Sequence, residues 1–171
     1  MLPRPGRRRE APDACCPVMT VSLRPENAAD EAFLHRLVTE FSAEQLGAAA
    51  WPEPFRTRLL DMQYFARRDV IRTDYPNAAS SIVTVDGADA GWLVTARLEN
   101  EVRVIDILLL PEYRGRGAGT AVIRQVIEAA GGLPVRLSVD ANNRCAIRLY
   151  ERLGFRRTGG DAVQHEMECT R

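Results

Sequence analysis

One stretch of the sequence decides the fold: residues 109–120 read LLPEYRGRGAGT. The residues before the turn, 102–110, read VRVIDILLL and predict an apolar strand. After the turn, apolar residues recur at helical spacing up to a Gly131–Gly132 stop: Val122, Ile123, Val126, Ile127 and Ala130. The segment therefore predicts a strand, a glycine-rich turn and a helix.

Such a turn favours an anion, because glycine has no Cβ to block a ligand and the N–H groups point outward. The helix dipole adds about half a positive charge at the same place. Arg114 and Arg116 bring full charges that a phosphate can use. The turn therefore predicts a pyrophosphate pocket.

The spacing of the glycines separates three kinds of phosphate loop. Gly115, Gly117 and Gly119 do not fit the G-x-G-x-x-G of a Rossmann turn. A Walker loop needs a Gly-Lys pair, and the chain contains no lysine. The pattern that remains is R-x-x-G-x-G over residues 114–119.

A second segment follows the first. Residues 135–139, VRLSV, alternate as a strand does, and Asn142 or Asn143 is placed to cap a helix. That helix shows apolar residues on one face and ends at Gly154: Ala146, Leu149, Tyr150 and Leu153.

The first pattern resembles the acetyl-CoA loop of the GNAT superfamily of N-acetyltransferases. The string Asn143-x-x-Ala146-x-x-Leu149-Tyr150-Glu151-x-x-Gly154-Phe155 is similar to the second signature of that family. The resemblance runs from about Met19 to the C-terminus and is weakest over residues 40–80. It implies an α/β (α+β) fold: a mixed, mostly antiparallel sheet of six to seven strands, with helices on both faces. Two strands of this sheet are expected to splay apart at the acetyl-CoA site.

The remaining elements follow from patterns and turn residues. Strands are predicted at residues 21–24, 80–85 and 91–98, the last two joined by a turn at Asp86–Gly87, and two final strands flank Gly159–Gly160. A first helix presents apolar residues on one face: Phe33, Leu34, Leu37, Val38 and Phe41. A second helix, from about Glu53, is predicted to turn four residues inward: Phe55, Leu59, Met62 and Phe65.

The resemblance also implies the residues that contact acetyl-CoA. Unpaired backbone groups of Leu108, Leu109 and Leu110 hold the pantetheine arm like a false strand, and the Leu109 amide faces the acetyl carbonyl. The pyrophosphate contacts are expected from the loop, with further cofactor contacts from the second motif: Arg114, Gly115, Arg116, Gly117, Ala118, Gly119, Thr120, Asn143, Ala146 and Tyr150.

The chemistry needs an acid for the departing thiolate and a base for the amine. Tyr150 matches the tyrosine of the family's Leu-Tyr-Glu string and is the predicted acid. Asp106 interrupts the apolar face that Val102, Val104, Leu108 and Leu110 are expected to form, so its pKa is expected to be raised unless it is paired. It is a candidate base, with a structural ion pair as the alternative. Water-mediated action by three other residues also stays open: Glu99, Glu101 and His165.

Composition bounds the remaining properties. Twenty-three basic and 23 acidic side chains balance, so nothing favours nucleic acid, and no apolar run is long enough for a membrane span. The four cysteines and two histidines show no zinc-ligand spacing, so we expect reduced thiols and no metal. We expect residues 1–18 to be a disordered extension and residues 19–171 one cytoplasmic, bacterial domain, with a homodimer left open.

The acceptor is expected opposite the cofactor, beside the first two helices and the last strands. Four residues are candidates to touch it: Glu44, Trp51, Gln63 and Tyr64. The residues do not identify the amine, which belongs to a small molecule, an antibiotic or a protein. An acyl-CoA sensor or binding module without turnover is the alternative from another class, and Tyr150 favours the enzyme.

Overall fold

The computed structural model describes residues 19–170, which form one seven-stranded sheet and four α-helices. The strands are β1 (Val21–Pro25), β2 (Ala79–Val85), β3 (Ala88–Arg97), β4 (Val102–Leu109), β5 (Val135–Asp140), β6 (Arg156–Gly160) and β7 (Gln164–Cys169). The helices are α1 (Glu31–Leu46), α2 (Phe55–Asp74), α3 (Ala118–Ala129) and α4 (Arg144–Arg152). The predictions for residues 1–18 lie outside the described residues.

The sheet has the order β1-β2-β3-β4-β5-β7-β6. Every neighbouring pair is antiparallel except β4 and β5, which are parallel and connected through α3. The predicted mixed, mostly antiparallel sheet is confirmed, and so is the turn at Asp86–Gly87, where both residues have positive φ. A parallel neighbour needs a crossover, and α3 supplies it.

Helices cover both faces of the sheet, as predicted. Helices α3 and α4 pack on one face, in a core that includes Val104, Ile123 and Tyr150. Helix α1 packs on the other face, where Leu34 and Leu37 meet Trp92 and Leu108. Each face of the sheet therefore has its own apolar core.

The predicted inward face of α2 is wrong at three of its four residues, while Leu59 is half-buried. Phe55, Met62 and Phe65 are 58%, 56% and 61% exposed, whereas Leu60 and Tyr64 are buried. The helix carries apolar residues on two sides, and periodicity alone does not say which side meets the sheet. The packing partner decides it, since the side with the tyrosine fits against Trp92 and Leu108.

A β-bulge in β4 also changes a predicted face. Val94 of β3 pairs with Asp106 while Thr95 pairs with Val104, so one extra residue, Ile105, lies in β4. Such a residue shifts the alternation of the side chains that follow it. Val102 and Val104 consequently face α3 and α4, whereas Leu108 and Leu110 face α1. The single apolar face expected around Asp106 therefore does not exist.

Within residues 19–170, no helix is long and apolar enough to cross a membrane. The same range contains no group of three or more His, Cys, Asp and Glu side chains arranged to hold a metal ion.

Candidate active site

Strands β4 and β5 separate part-way along their length. They pair at three positions, Val102–Val104 with Val135–Leu137, and the pairing ends there. Strand β5 nevertheless continues to Asp140, paired with β7 along its whole length. A wedge-shaped gap therefore opens beside the second half of β4, as the family resemblance implies.

The backbone of Leu109 faces this gap. The N–H of Leu110 donates to the carbonyl oxygen of Ala90 in the neighbouring strand at 2.9 Å. Because the backbone groups of successive strand residues point in opposite directions, those of Leu109 point away from β3. The Leu109 carbonyl indeed accepts a hydrogen bond from Arg114 Nε at 2.8 Å, on the side away from β3. This leaves the Leu109 N–H aimed at the gap. The prediction that Leu108 and Leu110 are also unpaired is wrong, because their backbone groups point toward β3.

The loop after β4 presents unpaired N–H groups at the start of α3. Within residues 19–170, the N–H groups of Gly115, Arg116 and Gly117 donate to no other group. Gly117 has φ of +94°, a conformation that side chains with a Cβ rarely adopt, and Ala118 begins the helix. Together with the positive end of the helix dipole, these groups form a site for an anion.

A second glycine brings the two motif helices together. A Cβ on Gly119 would lie 3.3 Å from Leu149 of α4 and 3.6 Å from Leu109 of β4. Its neighbour Ala118 is fully buried, and Thr120 is half-buried. The close approach places the start of α3 and α4 next to each other on the same face of the sheet.

The two loop arginines have different surroundings. Arg114 donates to the Leu109 carbonyl and also to Glu44 at 2.6 Å, so its guanidinium connects β4 with the end of α1. Arg116 is exposed and has no ion pair within the described residues. Arg116 is therefore the freer cation for a phosphate, a distinction that spacing alone does not reveal.

The second motif places Tyr150 in the core on the α3 and α4 face, near enough to β4 for the charge of Asp106 to act on it. Its helix, α4, is capped by Asn143, whose side-chain oxygen accepts the Ala146 N–H at 3.1 Å. The Tyr150 ring is buried against Phe155, with 5.6 Å between ring centroids. Burial, and secondarily the charge of Asp106, raises the pKa of Tyr150 to about 12. The phenol therefore stays protonated at neutral pH.

Asp106 lies in the part of β4 that no longer pairs with β5, and its carboxylate forms an ion pair. Arg67 Nε of α2 is 2.7 Å from its carboxylate, whose side chain is 11% exposed. Burial raises the pKa of Asp106, while Arg67 and the Ile107 N–H oppose that shift. The structural ion pair considered from the sequence is therefore present. Sequence reasoning missed Arg67, because nothing local links two residues on different elements.

The four acceptor candidates divide by exposure. Gln63 is exposed and Trp51 is half-buried, 5.8 Å from Phe55 between ring centroids. Tyr64 is 1% exposed and packs edge-on against His35, so it is placed as a packing residue. Glu44 is engaged by Arg114. Of the four, Glu44 and Gln63 are exposed, and the Glu44 carboxylate is already bound by Arg114.

The three water-linked base candidates are also spread out. Glu101 binds Arg103 and Arg136 at the end of β4 where β5 is still paired. Glu99 is exposed in the preceding turn, and His165 is half-buried on β7 opposite Val139. None of the three contacts Arg67, the arginine that is paired with Asp106.

The model of the acetyltransferase (GNAT) family matches residues 43–155, more than half of the chain. The chain belongs to the GNAT acetyltransferase family. Its match includes the anion loop, the gap and α4.

Curated relatives align with part of the chain. The chain is 38% identical to the N-alpha-acetyltransferase RimI of Mycobacterium tuberculosis over 65 residues, which is 38% of this chain and 40% of that protein. It is 34% identical to the [ribosomal protein bS18]-alanine N-acetyltransferase of Escherichia coli over 76 residues, 43% of this chain and 51% of the relative. The chain thus spans about half or less of the curated relatives it matches.

Solved structures show the same fold. The PaiA N-acetyltransferase of Thermoplasma acidophilum, in complex with coenzyme A, has a TM-score of 0.66 at 18% identity, covering 89% of this chain and 99% of that one. The aminoglycoside acetyltransferase AAC(6')-Ib, also with coenzyme A, has a TM-score of 0.64 at 22% identity, covering 89% and 95%. At these identities the likeness establishes the GNAT fold and nothing finer.

Proposed function

We propose that this chain transfers an acetyl group from acetyl-CoA directly to a primary amine, with both substrates bound at once. The observation that carries the proposal is the gap beside β4, with the Leu109 N–H facing it and the anion loop at its end. Membership of the GNAT family supports the donor and the reaction class.

The residues present fit the donor. Unpaired N–H groups from Gly115 to Gly117 suit a pyrophosphate, with Arg116 adding charge. The edge of β4 beyond Val104 has no strand partner on the β5 side, and the Leu109 backbone there, flanked by Leu108 and Leu110, suits an extended arm that pairs as a short strand. The rest of the proposed contact set is Arg114, Ala118, Gly119, Thr120, Asn143, Ala146 and Tyr150. Acetyl-CoA supplies an activated thioester whose carbonyl carbon an amine attacks.

Two groups of the chain act on charge in this proposal. The Leu109 N–H donates to the carbonyl oxygen as negative charge grows there, which lowers the barrier because the donor is already in place. The Tyr150 hydroxyl donates its proton to the departing sulfur, since the phenol is protonated at neutral pH. The new C–N bond forms as the C–S bond breaks, and the amine releases one proton.

Asp106 is the proposed acceptor for that proton, directly or through water. Its raised pKa favours a base that takes up a proton more readily than an exposed aspartate. Arg67 keeps the carboxylate charged and oriented between turnovers. The alternative is that water alone takes the amine proton. The pH dependence of turnover in an Asp106 variant distinguishes the two acceptors.

The acceptor class proposed is a primary amine. Related proteins are named for a protein α-amine of alanine and for an aminoglycoside, and both are amines. The proposed contacts are Trp51, which is half-buried between α1 and α2, and Gln63, which is exposed in the middle of α2. The cytoplasmic location and the bacterial source stay predictions.

The test is release of the coenzyme A thiol from acetyl-CoA, measured with a panel of amines. The panel contains polyamines, aminoglycosides and peptides with a free N-terminal amine, with matched tertiary amines as controls. We expect turnover with at least one primary amine and none with its tertiary analogue. Tight binding of acetyl-CoA without turnover on any amine would instead favour a binding module.

A further inference from the structure

Helix α2 presents an apolar side to solvent. Phe55, Met62 and Phe65 are each more than half exposed, and Arg58 and Asp69 lie on the same side of the helix. We call this set of five residues the α2 outer face. The opposite side of the helix contains the buried Leu60 and Tyr64.

The outer face has a periodicity that single exposed apolar residues lack. Phe55, Met62 and Phe65 are seven and three positions apart, so they line up along one side of a helix. Each such side chain has an area of about 200 Å², so more than half of each amounts to roughly 350 Å² of apolar surface. The largest apolar patch on a monomeric protein is commonly of about this size and is often functional.

We propose that a second copy of this chain covers the α2 outer face, with the two α2 helices antiparallel across a two-fold axis. The axis crosses each helix midway between residues 63 and 64. In this register Met62 of one copy packs on Phe65 of the other, and the contact occurs twice. Arg58 then lies opposite Asp69 of the other copy, which also occurs twice.

The charges favour a second copy over an unrelated partner. Arg58 and Asp69 lie on the same side of α2, each about 8 Å along the axis from the proposed two-fold. Arg58 is exposed and makes no ion pair with any described residue, while Asp69 has one exposed contact, to Arg72 at 2.5 Å. The face therefore carries a positive and a negative end that complement each other only in the antiparallel arrangement.

The proposed contact leaves the gap between β4 and β5 open. Arg67, which reaches Asp106, lies on the inner half of the helix, about 140° around the axis from Met62. The dimer is argued without the proposed acetyl transfer, so either proposal can fail alone, although Phe55 of the outer face also contacts Trp51. Two such apolar patches with their flanking charges bury an area at the small end of the range for protein–protein interfaces. We therefore expect a dissociation constant of about 10 μM or weaker.

The experiment is sedimentation velocity on the full chain over a wide concentration range, with Arg58→Asp and Asp69→Arg. Each single variant places like charges opposite each other twice, and we expect its dissociation constant to rise about tenfold. The double variant restores both pairs and should dimerise like the original. An equimolar mixture of the two single variants should form a heterodimer, because each contact then joins opposite charges.

Arg36→Asp is the control, since Arg36 is an exposed arginine on neighbouring α1 that pairs with Glu40. Its dissociation constant should not change. Circular dichroism and the melting temperature check that every variant folds. A chain that stays monomeric at all concentrations, or a dimer whose strength neither charge variant alters, would overturn the proposal. Failure of both the double variant and the mixture to restore the dimer would do so too.

Discussion

The loop that follows β4 and the helical pair α1–α2 contribute to the candidate site in different ways. In the loop, unpaired backbone N–H groups face the site, and side chains contribute mainly by being small. In the helical pair, side chains carry the interactions, as where Arg67 reaches Asp106 and Glu44 holds Arg114. Most substitutions leave a backbone site intact, so the loop should tolerate changes except at its glycines, while the helices depend on which face is buried.

The largest expected effect is on Tyr150, the one side chain of the second motif with a proton to give. Replacing it with Phe keeps the ring and its contact with Phe155 and removes the proposed acid. The rate constant for turnover with a competent amine should fall by about 10² to 10⁴. Affinity for acetyl-CoA should stay close to the original, because the proton is needed only as the thiolate departs.

Isothermal titration with acetyl-CoA and steady-state kinetics with the amine separate the two effects of Tyr150→Phe. Because the pKa of Tyr150 is raised to about 12, an alkaline loss of activity near neutral pH should not originate from this residue. An unchanged rate, where chemistry limits turnover, would make Tyr150 a packing residue and leave water as the proton donor.

The two sides of α2 provide the next test, because they should differ strongly in stability. Leu60→Ala removes a buried side chain and should lower the free energy of unfolding by about 2–5 kcal/mol. Phe65→Ala, on the exposed side, should lower it by less than about 1 kcal/mol. Urea denaturation at a concentration where the chain is monomeric measures both. Equal losses would mean that the outer face is buried in solution within one chain.

This contrast also explains what could be predicted from sequence. The loop and α4 were predictable because their signals are local: glycine spacing, a capping asparagine and apolar periodicity lie within a few residues of one another. The buried side of α2 was not, since the helix has apolar residues on both sides and the choice depends on Trp92 and Leu108, far along the chain. The same applies to Asp106, whose surroundings depend on a bulge and on Arg67.

Asp106 connects the two regions, and its pH dependence tests the proposed base. Asp106→Asn should lower the turnover rate at neutral pH by about 10², at the low end for a positioned base. In the original chain, activity should fall as the pH drops through the raised pKa of Asp106, because the protonated carboxyl cannot accept the amine proton. The asparagine variant should lose this acid limb. A pH–rate profile of both chains, with the acid limb unchanged in the variant, would assign the proton to water.

Arg67→Gln is the matched variant on the helical side. Arg67 lowers the pKa of Asp106 against the effect of burial, so its removal should move the acid limb to higher pH.

The raised pKa of Asp106 should also make the free energy of unfolding depend on pH. A raised carboxyl pKa means that the folded state binds the proton more tightly, so this contribution to stability is largest at low pH and is lost as the pH rises through the folded pKa. Thermal melts across pH should therefore show a smaller pH dependence for Asp106→Asn.

The effect on acetyl-CoA affinity tests whether the loop acts through its backbone. Gly117→Val puts a branched side chain beside the unpaired N–H groups and should weaken acetyl-CoA binding by more than tenfold in calorimetry. Gly131→Val is a close control, because Gly131 also has positive φ, +64°, and no atom lies within 4 Å of its added Cβ. Both variants carry backbone strain, but Gly131 lies beyond the far end of α3. Equal losses of affinity would mean that strain alone is felt at the site, and the pyrophosphate would have to be assigned elsewhere. A loss confined to Gly117→Val would leave the loop amides as its binding groups, since no side chain is removed by that change.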